Sequence, residues 1–235
     1  MNFAVIIVAG GAGKRFGSKE PKQFLLLNRK KMFEWSIIAF KKVKQCSQIV
    51  LVVPQYKLNE MQKYKKIYGI DIVSGGKERY NSVQNGLQYV KNNIDIVAVH
   101  DAARPLITET AIKEVLKSVA KYGGAILATK AKDTIKVSKG ENSIFKTIDR
   151  NNIWQAQTPQ MFKTNILKKV YLNKISKNIT DDAQLVEKLG KKVILVEGSN
   201  ENFKITKPLD FILAQYILKQ RHYDRHMKRN VYKSF

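Results

Sequence analysis

Gly10-Gly11-Ala12-Gly13-Lys14-Arg15-Phe16, followed by Pro21-Lys22-Gln23, sets a turn without bulky side chains between cations. The amides of such a turn can wrap a triphosphate, and Arg15 and Lys22 can converge on one phosphorus from its two ends. Two better-known phosphate loops do not fit. A Walker loop needs glycine five residues before Gly13, where Val8 stands, and Ser or Thr after the lysine, where Arg15 stands, so a kinase-like NTPase is disfavoured. A dinucleotide fingerprint needs glycine in place of Phe16 and an acid about twenty residues on, where Arg29-Lys30-Lys31 precedes Glu34. The plain alternative is a strand-to-helix turn with surface cations.

Two further clusters strengthen the chemical reading. His100-Asp101-Ala102-Ala103-Arg104-Pro105 follows an apolar run directly, placing an acid and an arginine where a doubly wound sheet binds ligands. There Asp101 could otherwise cap a turn and pair with Arg104. Gly75-Gly76-Lys77-Glu78-Arg79-Tyr80-Asn81-Ser82-Val83 puts glycines and a hydroxyl at another strand-to-helix junction, suited to reading a base through backbone groups plus Ser82, or simply to starting a helix. His222 and His226 have zinc-helix spacing, but Tyr223 stands where the H-E-x-x-H pattern has its glutamate, so both read as exposed tail residues. Cys46 has no evident activating partner, and Trp35, Phe40, Tyr89 and Trp154 read as packing residues.

Elements that could hold these clusters alternate along the chain. Apolar runs at Phe3 to Ala9, Ile49 to Val53, Ile70 to Val73, Ile94 to Val99 and Ala125 to Ala128 predict strands. Segments of helical period separate them, as in Met32, Trp35, Ile38 and Ala39, or Ile112, Val115, Leu116 and Val119. The fold class predicted is α/β: a Rossmann-like, mostly parallel twisted sheet flanked by helices, binding ligands beyond the strands' carboxyl ends. Asp133 to Val137 and Ser143 to Ile148 flank Ser138 to Asn142 and predict a protruding β-hairpin, a candidate dimer arm within residues 130–150. Helices near Lys163 to Tyr171 and Asp181 to Leu189, a strand at Lys192 to Val196, and a helix from Pro208 to about Lys219 complete the reading. Residues 1–220 form one domain, and 221–235 a basic tail.

The 235 residues carry 43 Lys+Arg against 19 Asp+Glu, a net charge of +24, of which only +4 falls in the last fifteen residues. The excess is spread and not gathered in a patch, which argues against a basic nucleic-acid-binding protein and for lysine on solvated faces. One cysteine excludes an intrachain disulfide and gives no sign of an oxidising compartment, so the expected location is cytoplasmic. No apolar run approaches the ~20 residues of a membrane helix, and no secretory signal is read.

Taken in order, these motifs with Arg150-Asn151, Gln157-Thr158-Pro159-Gln160, Thr180-Asp181-Asp182-Ala183 and Lys204-Ile205-Thr206 closely resemble the 2-C-methyl-D-erythritol 4-phosphate cytidylyltransferase family of glycosyltransferase-A-like nucleotidyltransferases. The resemblance runs to about Gln220. It implies transfer of a cytidylyl group from CTP to methylerythritol phosphate, with Mg2+ held mainly on the CTP phosphates. It also implies that Arg15, Lys22 and Lys204 surround the α-phosphate, and that Ala9, Gly10, Gly11, Gly13, Gly76 and Ser82 contact the nucleotide. Asp101 would serve the nucleotide and substrate sides, Arg104, Thr158 and Thr180 the substrate. Thr134 and Arg150 would reach the substrate of a neighbouring subunit, making the active unit a homodimer. Lys77 departs from the acid found in some relatives. A ribitol-5-phosphate cytidylyltransferase, sharing fold and nucleotide, is the nearest alternative.

Overall fold

A computed structural model describes residues 1–11, 16–18, 20–140, 142–172 and 179–231, with backbone alone from 224. The first βα units are β1 (Phe3–Val8), the small hairpin β2 (Leu26–Leu27) and β3 (Lys30–Lys31), α1 (Met32–Lys41), β4 (Cys46–Val53), α2 (Leu58–Tyr68), β5 (Asp71–Ser74) and α3 (Arg79–Gln88). There follow β6 (Ile96–Asp101), α4 (Glu109–Tyr122), β7 (Gly124–Lys130), β8 (Ile135–Ser138), β9 (Ile144–Ile148) and β10 (Trp154–Lys163). The chain then forms α5 (Thr164–Leu172), α6 (Asp182–Lys188), β11 (Ile194–Glu197) and α7 (Pro208–Val231).

Seven strands form one sheet in the order β11-β7-β10-β6-β1-β4-β5. Strand β1 lies between β4 and β6, parallel to both, as β5 is to β4 and β11 to β7. Because β1 is buried on both faces, it alternates between two cores. Phe3, Val5 and Ile7 pack with Phe33, Ile37 and Phe40 of α1 and with α2 and α4. Ala4 and Ile6 face α3, α5 and α6. Burial of each Phe, Val or Ile side chain among them contributes about 1.5–3 kcal/mol, so the sheet is a rigid base for whatever extends from its carboxyl ends.

Strand β10 corrects the sequence reading, which has no strand there. It enters antiparallel between β6 and β7. Its sequence, Trp-Gln-Ala-Gln-Thr-Pro-Gln-Met-Phe-Lys, has little apolar signal, and its register shifts between Ala156 and Gln160 around the cis Thr158-Pro159 bond. Gln157, Thr158 and Gln160 are nevertheless buried, because their side chains bond to Ser199 O, to His100 and to Asp182 N–H. The sheet is therefore mostly parallel with one reversed strand.

Other differences are local. The closing helix runs to Val231 and not to about Lys219, and Arg221, assigned to the tail, donates to Leu106 O at 2.8 Å and pairs with Glu201 at 2.7 Å. Tyr89, read as a packing residue, ends α3 and is 55 % exposed. Phe40 is in the core, while Trp35 is half-buried and donates to Leu27 O. Trp154 is half-buried with Lys130 over its ring. Cys46 is partly buried, and burial raises its pKa to about 12, so its thiol is inert. Strands β8 and β9 form the predicted arm as a separate antiparallel ribbon. No helix among the described residues is long and apolar enough to cross a membrane.

Candidate active site

Parallel pairing puts Val8 opposite Asp101, so the glycine turn after β1 and the acid ending β6 emerge side by side. Ala9 N–H still reaches Val52 O at 2.8 Å, carrying the sheet's order into the turn. Gln23, nearly buried, then holds the turn from beneath: its Nε2 donates to Ala9 O at 2.6 Å and Gly11 O at 2.7 Å. Across a planar trans peptide the next N–H points opposite to the captured carbonyl, so Gln23 turns Gly10 N–H away from itself. Gly13, Lys14 and Arg15 lie outside the described residues. Lys22, at 7 % exposure, precedes Gln23 on the same short 3-10 turn.

These groups line a cavity of about 460 Å3 that also contains Gly76, Arg79, Ser82, Asp101 and Lys204. At the start of α3, Ser82 Oγ accepts from Gly76 N–H at 3.2 Å and donates to Glu78 O at 3.3 Å, folding the glycine segment over the helix N-terminus. A Cβ on Gly76 would lie 2.3 Å from Asn81 Cβ, a rigid neighbour that cannot yield without backbone movement. Gly76→Ala is therefore expected to weaken binding of CTP, the nucleotide the sequence resemblance implies, about tenfold or more. Calorimetric titration checks this, and unchanged affinity would contradict the assignment.

Asp101 is the electrostatic centre. Its Oδ1 accepts from Arg79 Nε at 3.2 Å and its Oδ2 from Lys204 Nζ at 2.6 Å. Burial opposes the carboxylate, but Arg79 and Lys204 outweigh it and hold the pKa far below the usual range. Lys204 reaches Asp101 because Ile205 N–H bonds Ala103 O at 2.8 Å, pinning its segment beside β6. Arg79 also donates through Nη1 to Asp182 at 2.8 Å. Burial alone would favour loss of its proton, yet the two carboxylates raise its pKa and keep it charged.

Behind Asp101 the network fixes a tautomer. Arg104 O can only accept, so the ring proton of neutral His100 sits on Nε2, and Nδ1 accepts from the Thr158 hydroxyl at 3.1 Å while Thr158 Oγ accepts from Asp101 N–H, also at 3.1 Å. His100 Nε2–H donates to Arg104 O at 3.2 Å. Burial pushes the His100 pKa down to about 4, against an opposite pull from Asp101 and with help from Arg104. In the unfolded chain the ring titrates near its ordinary value of ~6.5 and takes up a proton first as pH falls. This contribution is therefore fully present above about pH 6.5 and is lost progressively toward pH 4. The loss reaches about 2 kcal/mol by pH 5, or about 4–8 °C in thermal midpoint. His100→Gln should flatten that slope in melting curves, and a wild-type midpoint insensitive to pH between 7 and 5 would contradict it.

The predicted site residues thus divide. Ala9, Gly10, Gly11, Lys22, Gly76, Ser82, Asp101 and Lys204 surround one cavity. Thr158 lies one layer behind, its hydroxyl engaged by Asp101 and His100. Arg104 donates to Asn202 O at 2.7 Å and Ala156 O at 3.3 Å, tying the Lys204 segment to β10. Thr180 borders a second, smaller cavity of about 70 Å3 that shares Glu78 and Arg79 with the first. Thr134 and Arg150 stand exposed at the base of the arm, where Arg150 donates to Lys132 O. Arg79, Gln23, Asp182 and Gln160 carried no site assignment from sequence, although all four fall within the motifs quoted. Nothing in spacing alone reveals which partners they meet across the fold.

Comparison with known proteins agrees with this geometry. The family profile described as 2-C-methyl-D-erythritol 4-phosphate cytidylyltransferase matches residues 3–220. The protein of that name from Endomicrobium trichonymphae is 49% identical over 220 residues, spanning 93% of this chain and 100% of the relative. That of Syntrophus aciditrophicus (strain SB) is 40% identical over 224 residues, 92% of this chain and 95% of the relative. The crystal structure of the protein of that name from Thermus thermophilus superposes with a TM-score of 0.77 at 30% identity, covering 93% of this chain and 100% of that one. With the match running from β1 into α7 and through every segment of the cavity wall described, this chain belongs to the 2-C-methyl-D-erythritol 4-phosphate cytidylyltransferase family.

Proposed function

We propose that this chain transfers the cytidylyl group of CTP to 2-C-methyl-D-erythritol 4-phosphate, releasing pyrophosphate. The observation that carries the reading is the single cavity in which Lys22, Arg79 and Lys204 gather beside the glycine turn and the Gly76–Ser82 edge. A phosphate monoester, with a second pKa of about 6, is mostly dianionic at neutral pH and needs no general base. His100 fits this, since both its nitrogens are engaged and it is buried and neutral. An oxygen of the methylerythritol phosphate attacks the α-phosphorus of CTP, a new P–O bond forms, and the bond to the β-phosphate bridging oxygen breaks as pyrophosphate leaves. The barrier is repulsion between anions. Lysines fixed around the α-phosphate answer it in a water-poor site, each contributing a few kcal/mol.

CTP is expected to arrive as its Mg2+ complex, the ion drawing charge from the departing pyrophosphate. Both Asp101 oxygens are engaged by cations, so that carboxylate is already committed to Arg79 and Lys204. The active unit in this reading is a homodimer joined through the arm, whose Ile144 and Phe145 are 66 % and 58 % exposed in the single chain. Thr134 and Arg150 at its base would serve the neighbouring site, and the setting is cytoplasmic.

Pyrophosphate release, measured with each of the four common ribonucleoside triphosphates against methylerythritol phosphate and ribitol 5-phosphate, with and without Mg2+, tests the reading. Mg2+-dependent turnover is expected for CTP with methylerythritol phosphate. Faster turnover with ribitol phosphate, or with another nucleotide, would overturn it.

A further inference from the structure

We infer that Asp182 is a positioning residue for the transfer reaction, holding Arg79 so that Asp101 keeps one oxygen for Lys204. The inference rests on the cytidylyl-transfer reading above. Asp182 is fully buried at the start of α6, yet its partners come from three other elements. Oδ2 accepts from Arg79 Nη1 of α3 at 2.8 Å, and Oδ1 accepts from Tyr171 OH of α5 at 2.5 Å. Its own N–H donates to Gln160 Oε1 of β10 at 3.0 Å, and the same oxygen accepts from Ala183 N–H. Gln160 Nε2 closes the ring on Asp181 Oδ2 at 2.9 Å. Burial and the adjacent Asp182 raise the Tyr171 pKa, so its hydroxyl remains a donor. Asp182 lines neither of the two cavities described. Its partner Arg79 walls both, and Tyr171 walls the smaller one.

The geometry gives Arg79 two carboxylates to share. Nη1 held on Asp182 sets the position of the guanidinium, which meets Asp101 through Nε at Oδ1, and Asp101 Oδ2 stays with Lys204 at 2.6 Å. Without the charge on Asp182, the fork of Arg79 is free to take both oxygens of Asp101 in the bidentate geometry guanidinium favours. Lys204 would then lose its anchor. Contacts to the base would not, because Gly76 is held by Ser82 and the glycine turn by Gln23.

A double-mutant cycle in the full chain tests this, reading kcat, KM for CTP and thermal midpoint for Asp182→Asn, Arg79→Gln and the pair. Asp182→Asn is expected to lower kcat about tenfold or more with KM for CTP within about threefold of wild type. Added to Arg79→Gln it should cost nothing further, since its route of action is already gone. If the two losses multiply, or kcat falls only as far as the folded fraction does, Asp182 is a fold residue and the inference fails. Tyr171→Phe keeps the Arg79 pair and frees Oδ1. It should lower kcat about threefold, with the same non-additivity toward Arg79→Gln, and it decides the matter should Asp182→Asn not fold. A wild-type chain without turnover would remove the transfer reading and this inference together, whereas an active wild type with a fully active Asp182→Asn removes the inference alone.

Discussion

Lys22→Ala is expected to lower turnover by about 100-fold or more while the thermal midpoint stays near that of the wild type. The lysine lines the cavity from a 3-10 turn that is anchored by its other two residues. Gln23 binds the glycine turn, and Phe24 packs edge-on against Phe33 with ring centroids 5.9 Å apart. Removing the ammonium therefore leaves the turn in place and deletes a cavity charge that the proposed reaction sets against the α-phosphate. Because repulsion between two anions grows as the transition state forms, the loss should appear in kcat more than in KM for CTP. Arg15→Ala is expected to behave alike, from the sequence pattern alone. Steady-state pyrophosphate release alongside a melting curve checks both, and near-wild-type turnover would remove that residue from its role.

Asp101→Asn should cost still more, because it acts on stability and rate together. The buried carboxylate compensates Arg79 and Lys204 at once. An amide of the same shape puts a donor against one of them and leaves a half-exposed cation unpaired, a cost that solvent reduces to about 1–3 kcal/mol. Arg79 retains Asp182, so the unpaired charge falls mainly on Lys204, which swings toward solvent or collapses onto the cavity. Turnover is expected to fall by at least about 100-fold and the thermal midpoint by several degrees. A variant with wild-type melting and kcat would show that Asp101 is not the centre of the charge network.

The parallel strands were legible because buried strands are written in continuous β-branched runs, as in Phe3 to Val8, and the site clusters because glycine and charge interrupt those runs at their carboxyl ends. Strand β10 was not, because its burial rests on hydrogen bonds from Gln157, Thr158 and Gln160 to partners distant in sequence, a cause that leaves no hydrophobic period. The hairpin of β2 and β3 escaped for a related reason: its turn places Asn28 and Arg29 at positive φ, which Asn announces weakly and Arg not at all. Within the site, Lys22, Asp101 and Lys204 could be named from pattern and resemblance. Their mutual distances could not, since Asp101 and Lys204 are 103 residues apart and meet only through the backbone bond from Ile205 to Ala103. Arg79 and Asp182, also 103 apart, illustrate the same limit: each looks like a surface charge until the fold buries them together.

The most direct measurement is a crystal structure of the chain with methylerythritol phosphate and a CTP analogue whose α–β bridge cannot be cleaved. The cytosine is expected against Gly76 and Ser82, with Lys22 and Lys204 about 3 Å from oxygens on the α-phosphorus. A nucleotide seated elsewhere, or seated there with both ammonium groups turned into solvent, would contradict this arrangement.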